Sequence, residues 1–124
     1  MIFGKKKDYV LIVDDSPTVV EMLSHILAAK YNVLKATSGK EAIEIARKSK
    51  PKVVVMDARM PEIDGWMACK IIKETAATKK IKVLMCTGAS KGKEVKKAFN
   101  MGADSFIMKP VVPSKLLAKV NELM

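Results

Sequence analysis

The chain has 124 residues, 49% of them apolar, and a formal net charge of +10. That length supports one hydrophobic core without disulfide or metal staples, and the composition is that of a folded domain, not a disordered or fibrous chain. The lysines are dispersed and the chain holds only six aromatics, so the interleaved basic and stacking residues of a nucleic-acid groove are missing, and nucleic acid is not an expected partner.

Lys5-Lys6-Lys7 precedes only Tyr9-Val10-Leu11-Ile12-Val13 before two acids, too short for a signal-peptide core or a membrane span. A soluble cytoplasmic monomer without membrane insertion is expected. Cys69 and Cys86 have no metal-type spacing and read as buried reduced thiols.

Five apolar runs alternate with five helical patterns, which implies parallel strands joined by helical crossovers. Residues 9–14 form the first strand and end in acids. Ser16 then caps a helix with Pro17 at its first position and an apolar stripe of Val20, Leu23, Ile26 and Leu27. Residues 31–36 are a more polar strand, suited to a sheet edge. Ser38-Gly39-Lys40-Glu41 reads as a capping box for a helix that ends before Pro51.

Val53-Val54-Val55-Met56 reads as a central strand buried on both faces, broken by Asp57 and the turn formers Pro61, Asp64 and Gly65. Gly65 opens a third helix with Ala68, Ile71 and Ile72 inside. Residues 81–87 are the fourth strand, ending at Thr87-Gly88. Val95, Ala98 and Phe99 mark a fourth helix stopped by Gly102. Residues 104–109 are the fifth strand, ending at Lys109-Pro110. A last helix starts at Pro113 behind Val112, a poor cap, and turns Leu116, Leu117, Val120 and Leu123 inward.

Four of the five strands thus deliver polar residues to one rim: Asp14 and Asp15, Asp57, Thr87 and Lys109. Each acid alone could be a turn or cap residue. Together the carboxylates repel one another, so either their pKa values rise or a cation joins them, and hard oxygen donors suit Mg²⁺. A carboxylate beside a divalent cation, with an ammonium and a hydroxyl opposite, is what phosphoryl transfer onto an aspartate requires.

Asp14-Asp15-Ser16, Asp57 with Met60-Pro61 and Asp64-Gly65, Thr87-Gly88-Ala89 and Lys109-Pro110 together resemble the receiver domain of bacterial and archaeal two-component response regulators. The resemblance spans essentially the whole chain. It implies a doubly wound α/β fold of the flavodoxin-like kind, with a five-stranded parallel sheet of order 2-1-3-4-5, five helices, and one domain over residues 1–124 without an output domain. It further implies that Asp57 takes a phosphoryl group from a sensor histidine kinase. Asp14, Asp15, Asp57 and the main-chain carbonyl of Arg59 would serve Mg²⁺, Lys109 and Thr87 would hold the phosphoryl oxygens, and Lys109-Pro110 would be cis. Thr87, Phe106 and Lys109 would form the switch.

Three positions depart from the commonest pattern. Phe106 brings no hydroxyl, Arg59 places a bulky charge beside the acceptor, and Val111 stands where phenylalanine is frequent. His25, the only histidine, falls in the first helix away from the rim. The reading is therefore a signalling phosphoprotein that catalyses only its own phosphorylation and dephosphorylation, of the chemotaxis type. Its downstream protein target would carry an acidic surface, met by Lys91, Lys93, Lys96, Lys97, Lys115 and Lys119 on the signalling face. Two other readings are a phosphorelay intermediate serving a histidine phosphotransfer protein and an aspartate-nucleophile phosphatase. Arg59 weighs against the phosphatase, which needs a second acid at that position.

Overall fold

The computed structural model describes residues 7–88, 96–97 and 99–124. Along the chain run β1 (Tyr9–Val13), α1 (Pro17–Leu27), β2 (Asn32–Ala36), α2 (Gly39–Ser49), β3 (Val53–Asp57), α3 (Gly65–Glu74), β4 (Lys82–Thr87), β5 (Ser105–Met108) and α4 (Pro113–Leu123). The strands form one parallel sheet in the order β2-β1-β3-β4-β5, as expected. Four helices, not five, are delimited among the described residues. Of the helix expected between β4 and β5, Val95 and Ala98 lie outside the described residues, as do Ala89, Lys91 and Lys93, while Lys96, Lys97, Phe99 and Asn100 are helical.

Strand side chains alternate between the two faces of the sheet, and the apolar residues follow that alternation. Leu11, Val13, Val54, Met56, Val83 and Met85 pack on one face with Ala42 and Ala46 of α2 and Ala68, Cys69 and Ile72 of α3. Val10, Ile12, Val53, Val55, Leu84 and Cys86 pack on the other with Val20, Leu23 and Leu27 of α1 and Leu116 and Val120 of α4. Every residue of β3 is buried, because a strand in the middle of a sheet covered on both sides has no solvent face. This is why its run of apolar residues is continuous and why the carboxylate at its end, Asp57, is buried.

Local chemistry sets the helix ends. The Ser16 hydroxyl accepts from Val19 N at 3.3 Å and the Asp64 carboxylate from Met67 N at 2.9 Å. The Ser38 hydroxyl accepts from Glu41 N at 3.1 Å, but Glu41 reaches back to Thr37 N, at 2.8 Å, one residue before the cap. Val112 makes no side-chain cap bond at the start of α4. Gly102 takes the left-handed conformation, φ 92°, that glycine supplies after a helix.

Candidate functional site

The parallel sheet brings the carboxyl ends of β1, β3, β4 and β5 to one edge, and the site is built there. Asp57 is the last residue of β3 and Thr87 the last of β4, both buried. Asp14 follows β1 directly and is buried as well, while Asp15 is exposed. One oxygen from each of Asp14, Asp15 and Asp57 falls within 4.8 Å of the other two. Lys109, just past β5, places its Nζ 2.8 Å from Asp57 Oδ1 and 3.6 Å from Asp14 Oδ2.

The backbone holds these groups in place. Asp14 N donates to Ala36 O at 3.2 Å, Ala58 N to Cys86 O at 2.9 Å, and Lys109 N to Thr87 O at 2.8 Å. Lys109-Pro110 is cis, as the family resemblance implied. Gly65 N donates to Ala58 O at 2.9 Å, so the turn after Asp57 folds back onto the strand end. A Cβ at Gly65 would lie 1.9 Å from Asp57 O. The residue is glycine because the acceptor strand's own backbone fills the space.

Three carboxylates face one ammonium. At an effective dielectric near 20, two like charges this close repel by on the order of 3 kcal/mol. Burial pushes the Asp14 carboxyl above the usual carboxylate range. The amide of Ser16, 3.0 Å from Asp14 Oδ1, works against that rise, the charge of Asp57 adds to it, Lys109 opposes it, and Asp15 adds again. Burial disfavours the charged form of Lys109, but its hydrogen bond to Asp57 and the charges of Asp57 and Asp14 outweigh burial and raise its pKa. The lysine stays an ammonium, and the rim still has more negative than positive charge. A cluster of carboxylate oxygens with excess charge fits a hard divalent cation such as Mg²⁺ and offers sulfur- or nitrogen-seeking metals nothing.

Of the residues expected at the site, Asp14, Asp15, Asp57, Thr87 and Lys109 meet at the rim. Arg59 is exposed two residues beyond Asp57. Phe106 lies within β5 beside Met85 and packs edge-on against Phe99, ring centroids 6.0 Å apart. His25 is exposed on α1. Sequence reasoning missed an apolar crevice of about 300 Å³ that Val19, Met22, Leu23, Cys86 and Val111 line beside Asp14, Asp57 and Lys109. Its only sequence signal was the surplus of apolar residues at the start of α1.

The family model described as the response regulator receiver domain matches residues 10–121. The chain is a response regulator receiver domain. It is 38% identical over 116 residues to the chemotaxis protein CheY of Thermotoga maritima, covering 92% of this chain and 95% of that protein. It is 36% identical over 118 residues to protein PilH of Pseudomonas aeruginosa, covering 93% and 96%. The solved structure of a putative response regulator from Chloroflexus aurantiacus, 35% identical, superposes with a TM-score of 0.90 over 95% of this chain and 98% of that one. Other relatives are longer: the receiver spans 49% of one named a probable transcriptional regulator and 25% of one named a probable cyclic di-GMP phosphodiesterase. Two-component signalling is thus the receiver's role. No described helix is long and apolar enough to cross a membrane.

Proposed function

We propose that Asp57 accepts a phosphoryl group from a phosphohistidine of a sensor kinase in a Mg²⁺-dependent reaction, and that the phosphorylated receiver binds a protein target. The observation that carries the proposal is Lys109 Nζ 2.8 Å from Asp57 Oδ1, inside the carboxylate cluster of Asp14, Asp15 and Asp57. An Asp57 oxygen attacks phosphorus, the P–N bond to the histidine breaks, and its electron pair returns to the imidazole, leaving an acyl phosphate. The partner's leaving imidazole needs no acid from this chain, because it can take its proton from water.

Asp14, Asp15, Asp57 and the carbonyl of Arg59 would hold Mg²⁺, which when bound neutralises charge on the phosphoryl oxygens. Lys109 trades its bond to Asp57 for one to a phosphoryl oxygen, and the Thr87 hydroxyl binds another. Moving Thr87 and Lys109 strains the β5 segment between them, and Phe106 shifts inward with it. That rearrangement reshapes the signalling face, where Lys96, Lys97 and Lys115 are exposed and suit an acidic target of chemotaxis-type signalling.

The test is incubation with a small phosphoryl donor with and without Mg²⁺. Wild type should gain one phosphoryl group only with the metal, and Asp14→Asn should lower the rate at least tenfold. Lys109→Ala should still be labelled but lose the phosphorylation-dependent gain in target affinity. Equal labelling without Mg²⁺ would contradict the proposal.

A further inference from the structure

At the pole of the sheet opposite Asp57, the segments that lead into β3 and β4 enclose a pocket of about 390 Å³. Lys50, Lys52, Lys80 and Lys82 stand around it, Pro51 and Ile81 form a buried floor, and the end of α4 closes one side at Leu123. Each lysine is exposed. Lys52 meets Asp8 at 3.9 Å and Lys82 meets Asp104 at 4.0 Å, both at the outer limit of an ion pair. Asp104 is already engaged by Lys73 at 2.9 Å and by Val83 N at 2.8 Å. Lys50 and Lys80 have no ion-pair partner among the described residues. Lys50 also has a left-handed backbone, φ 46°, a place where glycine or asparagine is usual.

Lysines near helix C-termini are favoured by the helix dipole, and α2, α3 and α4 all end at this pole. That accounts for some positive charge but not for a concave pocket with an apolar floor. We propose that this pocket binds an acidic peptide segment of a partner protein, one apolar side chain seated on Pro51 and Ile81 and flanking Asp or Glu carboxylates on the lysines. The four lysines set point charges around an apolar floor, an arrangement that complements carboxylates dispersed about one apolar side chain. The pocket has no aromatic lining for base stacking, and its concavity suits a protruding side chain better than a flat lipid surface. The site lies at the far end of the strands from Asp57, so it tethers the receiver without competing with phosphotransfer.

The test uses a short fluorescent peptide of Asp and Glu around one central Leu, titrated by anisotropy. Binding should be indifferent to phosphorylation of the receiver. Lys50→Glu with Lys80→Glu should weaken it at least tenfold, and Lys40→Glu with Lys70→Glu, the same charge change on exposed sites elsewhere, less than threefold. Replacing the central Leu with Ser should weaken it at least threefold. Circular dichroism checks that both double variants remain folded. Equal weakening by the two double variants, indifference to the central Leu, or tighter binding of duplex DNA or anionic vesicles at the Lys50 and Lys80 sites would each overturn the proposal.

Discussion

Gly65 shows how little room the acceptor strand leaves. With a Cβ placed 1.9 Å from Asp57 O, Gly65→Ala must push α3 away from the strand end and break the bond from Gly65 N to Ala58 O. We expect a loss of about 2–4 kcal/mol, measured by urea denaturation, because neither neighbour is the end of a flexible side chain. Sequence reading took Gly65 as a turn former, a helix opener and part of the family pattern, since a close backbone approach leaves no mark beyond the glycine itself. The thiols behave more simply. Burial pushes both Cys69 and Cys86 up to about 12, so at about pH 8 neither is a thiolate. Both should resist alkylation in the folded protein and react once it is unfolded. The raised pKa also fixes the sign of a linkage: above the ordinary value of 9.0 the unfolded chain ionises while the folded chain does not, so stability falls as pH rises from 9 toward 12. Rapid labelling of the native protein would show that Cys86, beneath Asp57 and Lys109, is reached through the crevice beside them.

The strands were legible in the sequence to within a residue or two, because parallel strands covered on both faces must be apolar throughout and must end where polarity returns. The same rule made Asp14, Asp57, Thr87 and Lys109 visible as strand-end residues. What the sequence did not disclose were contacts set by how distant elements dock. Asp104 read as a strand residue, but it accepts from Lys73 Nζ and Val83 N, tying the end of α3 to the start of β4. Glu41 accepts from Thr37 N, one residue before the cap, and not from Ser38 N as the capping box would have it. At the other end of α2, Lys50 occupies a conformation that costs a side chain on the order of 1 kcal/mol. Lys50→Gly should therefore stabilise the domain by about 0.5–1 kcal/mol in thermal denaturation, the backbone relief exceeding the loss of one lysine at a helix end. A destabilised variant would mean that the lysine side chain contributes more than its backbone costs.

At the scale of the molecule, the charge divides unevenly. The rim concentrates negative charge, while the rest of the chain, without Asp14, Asp15, Asp57 and Lys109, carries +12. Such a field steers an acidic partner and is screened beyond about 10 Å at 0.1 M salt. Association of the phosphorylated receiver with its target should slow several-fold between low and physiological salt, and Lys96→Glu with Lys97→Glu should slow it further, as read by stopped-flow. Salt-independent association would reduce these lysines to a solubility feature. Signalling by the receiver depends on where the phosphoryl group goes. The most direct measurement is tandem mass spectrometry after treatment with a phosphoryl donor and Mg²⁺, with the acyl phosphate trapped by borohydride reduction. The expected result is a single modified residue, Asp57, and no trapped product in Asp57→Asn. Modification at another carboxylate, or undiminished labelling of Asp57→Asn, would contradict the account.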